Sequence, residues 1–242
     1  MSALSLAWEQ FRLERKLFWR NPSAAFFNFI LPLLLLLLVA SVFAGEEDEL
    51  EILIPGIAGM SVMATTFNAL VFNVTYLREE GILKRVRGTP MPTASYLGGL
   101  IGSAVANAFV TVALVVVIGN VLYDVAWPRE PLMLIAFTAL GVVCFAALGI
   151  AFSHAIPNVD SVPAYQNAVF LPLIFISGVF YSADDLPPAL ETVAEVLPLK
   201  HVIDGLSAAI VGGPVNEGAA AAVVGAWALA GAFLAVRYFR WE

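Results

Sequence analysis

Long apolar runs alternate with short polar punctuation along this chain. Six runs, roughly 23–44, 53–76, 96–122, 132–153, 162–181 and 218–237, approach or exceed the ~20 residues a helix needs to cross a bilayer. Ahead of them, residues 4–20 alternate differently. Leu4, Ala7, Trp8, Phe11 and Phe18 share one arc at helical spacing, with Glu9, Arg12, Lys16 and Arg20 opposite, which predicts a helix lying on the membrane. Arg15 intrudes on the apolar arc and is expected to snorkel. Asn21-Pro22 then ends this elbow helix. After the fifth run, two apolar stretches at 186–197 and 199–211 are too short to cross and are delimited by Pro187, Pro188 and Pro198. They predict a pair of short re-entrant helices in the outer leaflet. The fold class expected is all-α, a polytopic integral membrane protein forming one transmembrane domain over residues 1–242.

Composition agrees with the pattern. Of 242 residues, 60% are hydrophobic and 13% charged, and mean hydropathy is +0.87, which excludes the soluble globular class. The first run is too long, and too directly followed by others, to read as a cleaved signal peptide. Cys144, the sole cysteine, falls inside the fourth run, so neither an intrachain disulfide nor a cysteine metal site is expected. The formal net charge of −7 matters less than its placement. Arg12, Arg15, Lys16, Arg20, Arg78, Lys84, Arg85, Arg87, Arg237 and Arg240 fall on one side of the membrane, and only Arg129 and Lys200 on the other. The positive-inside rule then puts both termini in the cytoplasm. The acidic run Glu46 to Glu51 lies outside as a solvated loop.

The runs carry little reactive chemistry. No ionisable residue lies near the middle of any of them, and Asp124, His154 and Asp160 sit at edges. Ion-coupled carriers need buried carboxylates or broken helices at midplane, so an ion-driven carrier is not indicated. None of the three lysines follows a glycine-rich phosphate loop, so the energy of transport is expected from another subunit. Polar side chains do mark the second run. Thr65, Asn68 and Thr75 share a face with Phe72, with Asn73 on a neighbouring one. The fifth run adds Gln166, Asn167 and Phe170, followed by Pro172. A lipid-facing amide costs about 1–3 kcal/mol unless partnered, so these residues either bond between helices or line a translocation path. The third run opens with Gly98, Gly102 and Ala106, and the sixth carries Gly218, Gly225 and Gly231, small residues suited to close helix packing within a chain or across a dimer.

The basic segment Leu83-Lys84-Arg85-Val86-Arg87-Gly88-Thr89-Pro90-Met91-Pro92, followed by Tyr96-Leu97-Gly98-Gly99, resembles the cytoplasmic loop of ABC-2 type transporter permeases. A second similarity runs through Ile176-Ser177-Gly178-Val179-Phe180-Tyr181, Asp185-Leu186-Pro187-Pro188-Ala189-Leu190, Leu197-Pro198-Leu199 and Asp204-Gly205-Leu206. Asn28 to Gly45, with Pro32, suits the first span of that family. The chain departs from many members at Lys200-His201, where they carry Thr-Tyr, and at Ser207, where they carry Arg. The resemblance implies six spans per subunit, a second permease subunit as homodimer or heterodimer, and two ABC ATP-binding subunits attached from the cytoplasm. It implies that the permease itself is not catalytic and holds no cofactor, with ATP and Mg bound by the partner ATPase. The elbow helix and basic loop are the family's ATPase contact regions, so Glu79, Glu80, Lys84, Arg85 and Arg87 would dock it. The substrate path would use Thr65, Asn68, Phe72, Gln166, Asn167 and Phe170. The expected setting is the plasma membrane, with lipid and no nucleic acid as surroundings, and the cargo a drug, lipid or glycan.

Two other classes stay open at this point. Glu79-Glu80 with Lys84, then His154 with Asn158 four residues on, echo the elements of prenyl-protein endopeptidases, in which glutamate and histidine activate water. That family has Arg where Lys84 stands. A rhomboid-like reading of Ser177-Gly178 lacks the upstream glycine. A non-transporting membrane scaffold is the remaining alternative.

Overall fold

The computed structural model describes residues 2–42, 47–89, 91–181, 186–213 and 215–238, without the side chains of residues 24, 47, 48, 87, 93 and 238. Glu46, Pro90, Asp185 and Arg240, used in the sequence reading, lie outside the described residues. Among the described residues ten helices follow in order, apart from a 3-10 turn at Val159–Ser161. They are α1 (Ala3–Trp19), α2 (22–42, with a π turn at Phe26–Ile30), α3 (47–79, with a π turn at Ala64–Asn68), α4 (Ile82–Arg87), α5 (Thr93–Tyr123), α6 (Pro131–Ser153), α7 (Val162–Ile176), α8 (Pro188–Ala194), α9 (Pro198–Ile210) and α10 (Glu217–Tyr238). No strand occurs among the described residues. Five helices are long and apolar enough to cross a membrane, within α3, α5, α6, α10 and the segment ending in α7, and Phe26–Val42 is a shorter apolar helix.

The central element is α3, flanked by α5, α6 and α9, with α10 laid along α6. Leu53, Ile54, Ile57, Met63 and Leu70 of α3 are buried. Lipid tails are as apolar as these side chains, so area burial alone does not hold such helices together, and close backbone approach must supply the packing. α9 shows how. It sits between α3, α6 and α10, buries Leu199, Val202, Leu206 and Ala209, and presents Gly205 to the Phe137 ring of α6. A Cβ on Gly205 would lie 2.1 Å from that ring. On the outer edge of α9, Lys200 Nζ pairs with Asp204 at 2.9 Å, and His201 Nε2 lies 2.7 Å from the Glu195 carbonyl. Lys200 and His201, two of the three residues that depart from the resembled pattern, thus tie α9 to itself and to the end of α8.

Three sequence expectations are corrected here. The arc of α1 is rotated from the one expected: Gln10 is buried and Ala7, Phe11, Glu14 and Phe18 are half-buried, whereas Leu4 and Trp8 are 83% and 60% exposed. The small residues of α5 explain the rotation. Ala7 meets Gly98, where a Cβ would stand 3.8 Å from the Ala7 Cβ, and Gln10 with Phe11 covers Gly99 and Gly102. The glycine face of α5 is therefore occupied by α1 rather than by a dimer partner. Arg15 does not snorkel. Its guanidinium donates to Asn107 Oδ1 of α5 and lies 5.1 Å from the Phe18 ring centre, so a protein amide and a π face replace the interface. Third, the helix of the fifth apolar run, α7, ends at Ile176, not 181. Gly178 takes φ 75°, a left-handed turn that stops the helix, and the following Val179 is buried against Gly56.

Two tests follow from this packing. Gly205→Ala should cost about 1–3 kcal/mol by overpacking, read as a lower thermal midpoint in detergent, and Phe137→Leu in the same chain should recover most of it. An unchanged midpoint for the single variant would show that α9 is not wedged here. Replacing Ala7 and Gly98 together by cysteine should give an oxidative cross-link, since the Cβ separation is that of a disulfide. Adding Gly99→Leu should abolish the cross-link by pushing α1 off its seat.

Candidate functional site

Two regions carry the residues nominated from sequence. The first is the surface at one end of α3. Glu80 ends α3, Gly81 turns the chain at φ 67°, and α4 follows. Leu83 is buried among Leu70, Val74, Tyr96 and Leu100, so α4 is keyed into the helix ends while Glu80, Lys84 and Arg85 stay exposed. The Arg87 side chain lies outside the described residues. Glu79 differs from its neighbours: its carboxylate accepts the Val159 N–H at 2.6 Å, beyond the end of α6. Arg78, not nominated from sequence, donates Nη1 to the Ser153 carbonyl at 3.1 Å and Nη2 to the Ile156 carbonyl. The guanidinium thus bonds the last carbonyl of α6 and one in the turn that follows it, acceptors near a helix end that the helix itself does not use. Arg78 and Glu79 together fasten the end of α3 to the segment joining α6 and α7.

The groups needed for the protease alternative have structural partners in the same place. Asn158 Oδ1 accepts from the Ser161 N–H at 2.9 Å and its hydroxyl at 2.7 Å. His154 Nδ1 lies 2.8 Å from the Ile150 carbonyl. Among the described residues no group of three His, Cys, Asp or Glu is placed to hold a metal.

The second region is a cleft of about 730 Å³ between α1, α2, α3 and α5. Leu13, Glu14 and Leu17 form its α1 wall, Thr65, Phe72 and Tyr76 its α3 wall, and Tyr96, Ser103 and Asn107 its α5 wall. Both π turns border it, through Asn28 of α2 and Thr65 of α3; π turns recur at functional sites because they re-aim side chains. Thr65 Oγ1 donates to its own helix, to the Ser61 carbonyl at 2.7 Å. Phe72 and Tyr76 stack nearly parallel, 4° apart with centroids at 6.3 Å. Glu14 accepts from Gln10 Nε2 at 2.7 Å; burial pushes its carboxyl above the usual carboxylate value, partly opposed by that bond.

The nominated path residues are divided by this geometry. Thr65 and Phe72 line the cleft together with Asn73. Asn68 does not, but its carbonyl accepts from Gln166 Nε2 of α7 at 2.5 Å, while its Oδ1 is buried without a partner. Asn167 is exposed, and Phe170 packs at the edge of the main core. Sequence reasoning missed Glu14, Gln10, Asn28 and Asn107. A signal for the first two existed: Leu6, Leu13 and Leu17 extend the apolar perimeter of α1 past Gln10 and Glu14, so that a polar pair sits inside an apolar boundary.

Residues 5–211 match the family described as ABC-2 type transporter. Nodulation protein J of Rhizobium leguminosarum bv. trifolii is 37% identical over 86 residues, covering 36% of this chain and 32% of that protein. Nodulation protein J of Neorhizobium galegae is 26% identical over 164 residues, 66% of this chain and 61% of its own length. The inner membrane transport permease YadH of Escherichia coli K12 is 25% identical over 160 residues, covering 64% and 60%. The chain thus spans between a third and three fifths of the length of these relatives. With the match running from within α1 to the end of α9, the chain belongs to the ABC-2 type transporter family.

Proposed function

We propose that the chain is the membrane subunit of an ATP-driven exporter. It works with a second permease subunit in the plasma membrane, both termini cytoplasmic, and moves a hydrophobic or amphipathic cargo outward. Separate ABC ATP-binding subunits bind ATP and Mg and dock from the cytoplasm. The observation that carries the reading is α4, a short helix anchored by buried Leu83 yet offering Lys84 and Arg85 to solvent beside Glu80. Such a rigid charged knuckle passes on a push, where a slack loop absorbs it. The name of YadH, an inner membrane transport permease, supports a role in transport.

Six spans are counted by including α2. Its 21 residues from 22 to 42 rise about 31 Å at 1.5 Å each, enough for a hydrocarbon core of about 30 Å. Motion of α4 passes into α3 directly, and through Arg78 and Glu79 into the segment that leads to α7. The path then runs along α3 and α7, where Asn68 meets Gln166 and Asn167 faces outward toward the second permease subunit.

Two experiments test this. Reversing Lys84, Arg85 and Arg87 to Glu should strip a co-purifying ATPase from the permease in mild detergent, and retention of that ATPase would sink the docking role of α4. Arg78→Met should leave the ATPase bound but cut export about tenfold, since it removes the tie to α6 rather than the docking face. Loss of the ATPase in Arg78→Met would mean that Arg78 belongs to the docking surface instead.

A further inference from the structure

The cleft beside α1 has a lining that asks for a particular ligand. Glu14 contributes a carboxylate whose one bonded partner among the described residues is the neutral amide of Gln10. Asn28 is among the lining residues, but its Oδ1 is buried and out of reach of an occupant. Both line the cleft, and none of the residues lining it is a lysine or arginine. The nearest guanidinium in sequence, Arg15, is turned to Asn107 and the Phe18 and Trp19 rings. The site therefore holds a carboxylate with no lysine or arginine among the residues that line it. An anionic or phosphate-bearing ligand would meet repulsion there. A neutral sugar would leave the carboxylate uncompensated.

The remaining lining is apolar and aromatic. Phe72 and Tyr76 present stacked rings, and Leu13 and Leu17 of α1 and Leu100 of α5 add aliphatic surface. Aromatic faces attract a cation as well as an apolar body, and a charge-assisted bond to a half-buried carboxylate is stronger than one in water. The volume of about 730 Å³ suits a drug-sized molecule. We propose that this cleft binds an amphiphile bearing a protonated amine, its ammonium donating to the Glu14 carboxylate and its apolar body over Phe72 and Tyr76. As a statement about cargo this rests on the exporter reading; as a statement about binding it does not. The cleft also includes Ile82, the first residue of α4, so an occupant touches the helix on which the ATPase is proposed to dock.

The test is fluorescence titration of the purified full chain, in nanodiscs of uncharged lipid, with dansylcadaverine and with its N-acetylated derivative, which keeps the ring and loses the charge. The amine should bind about tenfold tighter than the acetylated form. Glu14→Gln should bring the amine down to the acetylated level. The 7–98 cysteine cross-link, formed in the Glu14→Gln chain, confirms that α1 is still seated. Equal binding of the two probes, or amine binding unaffected by Glu14→Gln with α1 seated, would overturn the proposal. Discrimination between probes by a permease that never retains an ATPase would uphold the cleft and overturn the exporter reading. An ATPase retained by a permease that does not discriminate would do the reverse.

Discussion

Hydrocarbon offers a backbone no hydrogen bonds, so every departure from the regular helix must be answered by a neighbour. Two such departures among the described residues are the π turns Phe26–Ile30 and Ala64–Asn68. Each is met from another element. Thr111 of α5 reaches the Asn28 carbonyl at 3.4 Å, and Gln166 of α7 reaches the Asn68 carbonyl. A third case is the end of α6, where its last carbonyl and one in the turn that follows take the Arg78 guanidinium. These side-chain-to-carbonyl contacts fix which helix stands beside which, and at what height. The cleft exists because two such irregularities open toward the same space.

Close approach at glycine supplies the rest of the cohesion. α9 presses on Phe137 through Gly205, and α1 lies on Gly98, Gly99 and Gly102. In lipid the gain comes from contact rather than from expelled water, so a single added carbon at these seats weighs more than a lost methyl elsewhere. The two seats have different consequences. α9 closes one end of the bundle with a dry, fully packed wedge. α1 closes the other side only in part, because its wall includes Glu14 and Asn21 as well as leucines, and a space remains behind it.

Much of this was legible in the residues. Apolar runs of membrane length located α5, α6 and α10 to within a few residues, while α3 begins at 47, inside the acidic stretch expected as a loop, and Pro187, Pro188 and Pro198 marked the short helices between α7 and α10. The basic segment at 83–92 stood out in the sequence as a loop, and the structure winds Ile82–Arg87 into a short helix. What could not be read was any pairing that depends on which glycine meets which helix. Gly98 and Gly102 advertise a close neighbour without saying that it is α1. The π turns leave no compositional trace, since Phe26–Ile30 and Ala64–Asn68 read as ordinary helix. Arg78 looked like one more inside-facing cation, and Glu79 like one more surface acid. Only the fold brings residues 153–159 beneath them. Thr65 and Asn68 were marked as polar groups needing partners, and the structure divides them: the Thr65 hydroxyl bonds its own helix, while the Asn68 amide oxygen is left unanswered.

The seat of α1 also has a consequence for how the protein is made. Arg15 and Asn107, and likewise Ala3 and Ser95, are bonded across 92 positions of chain. A ribosome therefore finishes α1 well before the helix that will receive it, and during that interval α1 has nothing to lie against but the lipid surface. Its exposed Leu4, Trp8 and Trp19 beside a charged ridge suit that parking place. The same amphipathic helix thus serves as an interfacial float early in synthesis and as a wall of the cleft once the later helix arrives.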